Sequence, residues 1–305
     1  MQSFNTLLPE KQNCAVALGF FDGVHRGHRK VLGGAAAQRA NGLLPVCLTF
    51  SESPKAIIGG SAIPFLMTRE DKLRVLEQIG LEHVFFSDFR AVMHLSAREF
   101  FEKILIDTLR AKQIFCGFNY RFGKHAAGDT ALLQTLCDEF GVALTVAPPE
   151  KDGEDVVCST LIKRLIAEGN VRRANELLCG RFGVREVIRH GRHLGHELGA
   201  PTINQPLTKG LVVPKFGVYA SEVTLESGER YGGVTNIGVK PTVGGTTPLW
   251  ETWMPAYRGG EIYGETADVR LLDFIRPEKK FDSLDALKDE ILRNGEQALA
   301  IYEQS

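Results

Sequence analysis

Short apolar runs alternate with amphipathic segments through the first half of the chain, and this alternation predicts strands separated by helices. The runs that we predict as strands are CAVALGFF (14–21), LLPVCLTF (43–50), EHVFFSDF (82–89), QIFCGF (113–118) and VALTVAPP (142–149). Continuous apolar strands that alternate with helices favour an α/β domain whose parallel sheet is covered on both faces.

The segments between these runs carry the end signals of helices. We predict helices over 28–42, 68–80, 96–111 and 128–141, because their apolar residues recur three and four positions apart. Thr68 is a predicted N-cap and Gly80 the matching stop. Ser96 with Glu99 has the spacing of a capping box.

A different pattern begins near residue 182, where β-branched and aromatic residues lie between frequent glycines. The segments RFGVREVIRHG, KFGVYASEVTL, ERYGGVTNIG and EIYGETADVRLLDFI predict an antiparallel barrel or sandwich. Two helical stretches precede them, and DSLDALKDEILRNGEQALAIYEQ predicts a terminal helix interrupted at Asn294-Gly295. We therefore predict two domains, 1–181 and 182–305.

Composition narrows the class of protein. The 305 residues carry a formal net charge of -1, without the basic excess of a nucleic-acid binder. The start, MQSFNTLLPEKQN, does not have the pattern of a signal peptide, and no apolar run reaches the roughly 20 residues that span a bilayer. The six cysteines form no CxxC pair, which favours free, buried thiols. We expect a cytoplasmic protein with no nucleic-acid or membrane partner.

The stretch GFFDGVHRGH (19–28) lies where the first predicted strand ends and the first helix begins. A helix N-terminus presents unpaired N–H groups and a positive dipole end, so such a loop binds anions. Gly23 and Gly27 let the backbone approach a ligand, and His25 and His28 can donate hydrogen bonds to phosphate. Zinc would require a third ligand nearby, and a simple cap would not require two histidines. We favour a phosphate site over these two alternatives.

The same stretch resembles the HxGH signature of nucleotidyltransferases and, in its extended form, the bacterial bifunctional riboflavin kinase/FAD synthetase family. GFNYRFGKHAAGD (117–129) and CSTLIKRLIAEGNVRRANELLCG (158–180) resemble further motifs of that family. The stretches that resemble its kinase module are GHELGAPTIN (195–204), FGVYASEV (216–223), GGVTNIGVKPT (232–242), IYGE (262–265) and RPEKKFDSLDAL (276–287). The resemblance covers essentially the whole chain. It implies a Rossmann-like FMN adenylyltransferase domain followed by a riboflavin kinase β-barrel with a terminal helix.

For the first domain, the resemblance implies that FMN phosphate attacks the α-phosphorus of ATP, which gives FAD and pyrophosphate. His25 and His28 would be its catalytic residues, acting through contacts with the ATP phosphates. The binding residues that the resemblance implies are Gly19, Phe20, Asp22, Gly27, Asn119, Arg121, Ser159, Thr160 and Lys163.

Four positions of this domain depart from the family pattern. Ser53 stands in place of a histidine, Asn119 of an aspartate, Cys158 of a serine and Lys163 of an arginine. Lysine keeps the charge of arginine without its two-pronged donor geometry. An alternative hypothesis is therefore that only the kinase module is active.

For the second domain, the resemblance implies ATP-dependent phosphorylation of the riboflavin 5′-hydroxyl with a divalent metal, Mg²⁺. Thr202 and Asn204 would hold the metal, because hydroxyl and amide oxygens are hard ligands. Glu251 would be the general base. The implied binding residues are Gly199, Pro201, Asn204 and Asn236, and the departures are His196 and Ala200.

These expectations define an enzyme whose partners are the small molecules ATP, riboflavin and FMN, acting as a monomer or weak homo-oligomer. A hypothesis from another class is a flavin-binding regulator that keeps the fold and has lost the chemistry.

Overall fold

Parallel strand pairing organises the first half of the computed structural model, which describes residues 2–3, 12–190, 200–239 and 248–305. The strands are β1 (Gln2–Ser3), β2 (Cys14–Leu18), β3 (Leu44–Phe50), β4 (His83–Ser87), β5 (Ala111–Gly117) and β6 (Ala143–Ala147). They form one sheet in the order β1-β4-β3-β2-β5-β6, with every neighbouring pair parallel. The predicted parallel sheet is confirmed.

Helices cover this sheet on both faces. They are α1 (Arg26–Ala37), α2 (Pro54–Gly59), α3 (Arg69–Ile79), α4 (Phe89–Val92), α5 (Ala97–Phe100), which continues as a π-helix over Phe101–Thr108, and α6 (Thr130–Phe140). The predicted caps are confirmed: the Thr68 side chain accepts a hydrogen bond from the Asp71 N–H, and Ser96 with Glu99 forms a capping box. A short ribbon of β7 (Lys151–Asp152) and β8 (Asp155–Val156) follows β6.

The central strand β2 shows why the sequence lacks polar alternation there. Cys14, Val16 and Leu18 belong to the core cluster on one face of the sheet, while Ala15 and Ala17 belong to the cluster on the other. Both faces of β2 are therefore buried, as expected for a parallel sheet between helical layers.

The second unit begins at Thr160 and consists of helices followed by antiparallel strands. Its elements are α7 (Ser159–Glu168), α8 (Val171–Leu178), β9 (Gly183–Val187), β10 (Thr202–Pro206), β11 (Gly217–Thr224), β12 (Arg230–Val239), β13 (Pro248–Trp253), β14 (Thr266–Arg276) and α9 (Leu284–Glu303). The strands pair in the order β10-β13-β12-β11-β14-β9, and every pair is antiparallel.

The two edge strands of this sheet approach each other and nearly close it into a barrel. The Arg189 N–H donates to the Asn204 carbonyl at 2.8 Å, and the Gln205 side-chain amide donates to the Glu186 carbonyl at 2.6 Å. The predicted antiparallel barrel is confirmed.

The predicted interruption of the terminal helix at Asn294-Gly295 is wrong, because α9 runs unbroken from Leu284 to Glu303. The Asn294 side chain accepts a hydrogen bond from the Arg276 guanidinium at 2.9 Å and donates to Glu290 at 3.2 Å. A Cβ at position 295 would lie 2.7 Å from the Trp253 ring. The Asn-Gly pair thus reflects close packing against the barrel and not a turn.

Candidate functional site

The topology of the first unit brings two of the sequence motifs to one edge of the sheet. The chain adds β3 and β4 on one side of β2 and later adds β5 and β6 on the other side. The motif loop 19–25 follows β2, and the motif loop 118–129 follows β5. In open α/β sheets, ligands bind beyond the carboxyl ends of the strands where the strand order reverses. Both loops therefore lie at the expected ligand site.

The first loop has an unusual backbone conformation. Phe21 and Val24 have φ values of 52° and 42°, in the left-handed region that side-chain-bearing residues rarely adopt. Gly19 is required by packing, since a Cβ there would lie 2.8 Å from the Phe21 ring. Such strain persists only where the surrounding structure fixes it, and it is concentrated at functional sites.

Hydrogen bonds from several elements fix this loop. The Asp22 carboxylate accepts from the Leu66 N–H at 2.7 Å, and the Asp22 carbonyl accepts from the Ser159 hydroxyl at 2.9 Å. The Phe20 carbonyl accepts from the Thr49 hydroxyl at 3.0 Å and from the Lys72 ammonium at 2.8 Å. The predicted binding residues Asp22 and Ser159 are thus in direct contact, and Phe20 lies in the same loop.

The two histidines of the motif are in direct contact at the start of α1. His25 is the N-cap residue, and its Nδ1 accepts a 3.4 Å hydrogen bond from the His28 N–H. Their rings stack with centroids 3.6 Å apart, and the Phe21 ring packs edge-on to His28. A Cβ at Gly27 would lie 3.4 Å from the His25 ring, an ordinary van der Waals contact, so the stack itself does not require glycine there.

Burial keeps both imidazoles neutral. It lowers the pKa of His25 from 6.5 to about 4, although the Asp22 carboxylate acts in the opposite direction. Burial also holds the pKa of His28 well below its ordinary value, and the neighbouring His25 and Lys72 add to the effect. Since Nδ1 of His25 accepts a hydrogen bond, the proton of the neutral ring belongs on Nε2. His25 can therefore donate one neutral hydrogen bond from Nε2 to a ligand.

The second motif loop has its polar side chains at the surface. Asn119 and Arg121 are exposed, and the Arg121 guanidinium lies 3.3 Å from the Asp129 carboxylate. Asp129 caps α6 by accepting from the Leu132 N–H, and this bond is the main cause that lowers its pKa. The loop therefore presents an amide and a guanidinium to solvent near the sheet edge.

The last three binding residues predicted for the first domain, Ser159, Thr160 and Lys163, lie on α7. Ser159 begins this helix and contacts the first loop, as described above. Thr160 is exposed and Lys163 is half-buried, and both belong to the second unit.

In the barrel, three predicted residues lie side by side on neighbouring strands. Asn204 on β10 is opposite Glu251 on β13, and Glu251 is opposite Asn236 on β12. Residues directly opposite each other in an antiparallel pair project from the same face. This amide–carboxylate–amide row shares its face with Trp253, which packs with the terminal helix.

The buried side chain of Asn204 has an oxygen atom that could accept a hydrogen bond from a ligand or coordinate a metal. It is 3% exposed, and its Oδ1 is buried without a hydrogen-bond partner among the described residues. Its Nδ2 donates to the Thr202 carbonyl at 3.4 Å. A buried acceptor without a partner costs about 1–3 kcal/mol, so a ligand is its expected partner. Glu251 is half-buried.

A cavity of about 610 Å³ is lined by Thr202 and Trp253, which lie on the strands that carry Asn204 and Glu251. Pro201 and Thr202 line it together with Trp253, Tyr257 and Tyr263. The predicted residues Gly199 and His196 lie outside the described residues.

The donor set fits a divalent metal. Thr202 and Asn204 supply oxygen atoms on one face of β10, as Mg²⁺ prefers, and Asn204 contributes the unpartnered oxygen. Among the described residues, no group of three or more His, Cys, Asp or Glu side chains could hold a metal ion. An ion held by few protein oxygens and by substrate phosphates is the usual arrangement for Mg²⁺ in phosphoryl transfer.

The supports of the first loop, above all Lys72, were not predicted from the sequence. One signal was present: Lys72 lies four residues before Leu76, and both lie on the buried side of α3. A lysine in the apolar stripe of a helix indicates a buried charge with a specific partner.

A histidine-bearing loop at a parallel sheet edge and a polar row on a barrel together define a two-domain transferase that acts on phosphates. Residues 7–161 match the family described as FAD synthetase, and residues 178–302 match the family described as riboflavin kinase. The bifunctional riboflavin kinase/FMN adenylyltransferase of Escherichia coli K12 is 36% identical and covers 93% of this chain and 91% of its own. The chain belongs to the bifunctional riboflavin kinase/FMN adenylyltransferase family.

Further relatives are similar over equally long stretches. The Haemophilus influenzae enzyme of the same name is 34% identical and covers 95% of each chain. Among solved structures, a protein from Streptococcus pneumoniae described as a macrolide-efflux protein has a TM-score of 0.84 at 31% identity, covering 95% of this chain and 94% of that one. The helices within the described ranges are all too short or too polar to cross a membrane.

Proposed function

We propose that residues 1–181 adenylylate FMN and that residues 182–305 phosphorylate riboflavin. The chain is a riboflavin kinase and an FMN adenylyltransferase, because both family matches and bifunctional relatives extend over nearly all of it. The observation that supports this division best is the presence of two separate polar sites, the His25–His28 loop in one unit and the Asn204–Glu251–Asn236 row in the other.

In the first reaction, a phosphate oxygen of FMN forms a bond to the α-phosphorus of ATP, and the bond to the β-phosphate bridge breaks to release pyrophosphate. The attacking oxygen is already anionic, so no general base is required. We assign to His25 and His28 the contacts with the triphosphate, supported by the N–H groups and dipole at the start of α1. Asn119 and Arg121 would bind from the second loop, and Ser159, Thr160 and Lys163 from α7.

In the second reaction, the riboflavin 5′-hydroxyl oxygen would attack the γ-phosphorus of ATP, and the bond from that phosphorus to the β–γ bridging oxygen would break to release ADP. Glu251 would accept the proton of the attacking hydroxyl. Thr202 and Asn204 would hold Mg²⁺, which when bound neutralises phosphate charge. Pro201 and Asn236 would contact the substrates, with Gly199 beyond the described part of the site. Thr202 and Pro201 at the cavity support this placement.

We propose a cytoplasmic enzyme that acts as a monomer or weak homo-oligomer on small molecules alone. Its six cysteines are free, and four of them are buried, which suits a reducing compartment.

The test is a product assay of the purified chain with riboflavin, ATP and Mg²⁺, resolved by chromatography. Formation of FMN followed by FAD supports two active sites. FMN alone would mean that the first site is inactive, as the departures at Ser53, Asn119, Cys158 and Lys163 would allow. Tight flavin binding without either product would overturn the catalytic assignment and favour a flavin-binding regulator.

A further inference from the structure

The buried amine of Lys72 is an unusual feature of the first unit. Lysine is almost never fully buried unless it is paired, yet Lys72 is only 6% exposed. Burial lowers its pKa, while the Asp22 carboxylate and the Cys47 thiol act in the opposite direction. A charge placed here needs a specific partner to offset its desolvation.

That partner is the backbone of the first loop, residues 19–25, which leads into the two histidines. The Lys72 ammonium donates to the Phe20 carbonyl at 2.8 Å and lies 4.5 Å from the centroid of the Phe20 ring. The Thr49 hydroxyl, which is fully buried, donates to the same carbonyl oxygen at 3.0 Å. Two donors from β3 and α3 therefore hold one acceptor of the loop.

The position of this acceptor gives the contact its importance. The Phe20 carbonyl directly precedes Phe21, whose φ of 52° is a left-handed conformation. Such a conformation is energetically unfavourable and persists only when neighbouring contacts fix it. The Phe21 ring in turn packs against His28, which stacks on His25. A continuous set of contacts thus leads from Lys72 to both histidines.

The charge of Lys72 also matters for an anionic ligand. Asp22 is 4% exposed within this loop, and its carboxylate would repel a triphosphate. Lys72 attracts that carboxylate and offsets its charge, while both histidines are neutral.

We propose that Lys72 is a positioning residue for adenylyl transfer, which holds the Phe20 carbonyl and thereby fixes the loop that presents His25 and His28 to the ATP phosphates. This proposal rests on the assignment of the ATP phosphates to that loop. Lys72 acts through the loop, and its ammonium does not need to reach the substrate.

The experiment compares Lys72→Met with Thr49→Val, the double variant and the control Lys112→Met, whose lysine is exposed on β5. We expect Lys72→Met to lower kcat/KM for FAD formation roughly 10- to 100-fold, the range for loss of a hydrogen bond from a charged donor. Riboflavin phosphorylation by the same molecules should stay within about twofold and serves as the internal measure of folding. Thr49→Val should have a smaller effect in the same direction.

Two readouts separate positioning from general destabilisation. Since both donors act on one oxygen, the double variant should lose less than the product of the single losses. The imidazole NMR signals of His25 and His28 should shift in Lys72→Met and stay unchanged in Lys112→Met, because stacked rings report their relative position.

FAD formation within twofold of the unmodified chain, or histidine signals that do not move, would overturn the proposal. If Lys72→Met does not fold, Thr49→Val becomes the test variant. Unchanged NMR signals of His25 and His28 in Thr49→Val would then overturn the proposal. If the unmodified chain makes no FAD, the assigned function of the first unit fails, while the histidine signals still test the role of Lys72.

Discussion

The imidazole rings of His25 and His28 lie face to face, with their centroids 3.6 Å apart and their planes 19° from parallel. Two imidazolium ions could not share this space without strong repulsion, and burial holds both rings in the neutral form. In the proposed adenylyl transfer, this site would therefore meet a polyphosphate with oriented hydrogen bonds and a helix N-terminus, and not with histidine charge.

This arrangement predicts the titration of His25. Its pKa in the folded chain should be about 4, against an ordinary value of 6.5. The measurement is the pH dependence of its imidazole NMR signals, with the exposed His125 as a comparison within the same chain. ATP should raise the midpoint, since nearby phosphate favours the charged form. A midpoint near 6.5 in the free protein would contradict the buried, neutral pair.

The same shift predicts how stability depends on pH. Because the folded pKa lies below the unfolded one, the unfolded chain binds more protons between pH 6.5 and about 4. The contribution of His25 to the free energy of unfolding is therefore complete above pH 6.5 and is lost as the pH falls through this window. Urea unfolding of the intact chain and of His25→Gln at several pH values measures this; equal slopes for both would rule it out.

Gly19 and Gly33 form a matched pair for testing the loop. A Cβ at Gly19 would lie 2.8 Å from the Phe21 ring, whereas a Cβ at Gly33 in α1 would meet nothing within 4 Å. We expect Gly19→Ala to lower the free energy of unfolding by about 1–3 kcal/mol and to impair FAD formation. Gly33→Ala should raise it by up to about 1 kcal/mol, because alanine favours a helix. Similar effects of both changes in denaturant unfolding would show that Phe21 does not pack as described.

Substitutions of Asn204 and Asn175 should distinguish a functional role from a structural role in the second unit. The Asn204 Oδ1 is buried without a partner among the described residues, whereas the Asn175 side chain bonds both the Leu271 carbonyl and the Phe182 N–H at 2.8 Å. Asn204→Leu should leave the thermal midpoint unchanged or higher and lower FMN formation at least about 100-fold. Asn175→Leu should lower the midpoint by several degrees, since it breaks satisfied bonds. A strong loss of stability in Asn204→Leu would instead indicate a structural role.

Local patterns were sufficient to predict the elements that are long, apolar or clearly capped. The buried strand β2 and the capped helices α3 and α5 are such cases, because their signals lie within a few residues. Strands β10 and β13 were not predicted, although they carry Asn204 and Glu251. Each is short and mixes polar with apolar residues, so only pairing with distant strands defines it.

The site residues show the same difference between local signals and contacts that are distant in sequence. The motif residues could be named from the sequence, but their supports could not. Lys72 lies 52 residues from Phe20, and no local pattern predicts that its amine bonds that carbonyl. Asn294-Gly295 had the appearance of a turn, and only the proximity of Trp253 and Arg276 explains why it continues a helix.

The most direct test of two independent sites is the product assay repeated with Glu251→Gln and His28→Ala, with Glu229→Gln in the exposed β11–β12 turn as control. Glu251→Gln should abolish FMN formation from riboflavin and still convert supplied FMN to FAD. His28→Ala should still make FMN and lose FAD formation at least about 100-fold. If either change removes both activities while the thermal midpoint stays that of the control, the account of two separate sites is wrong.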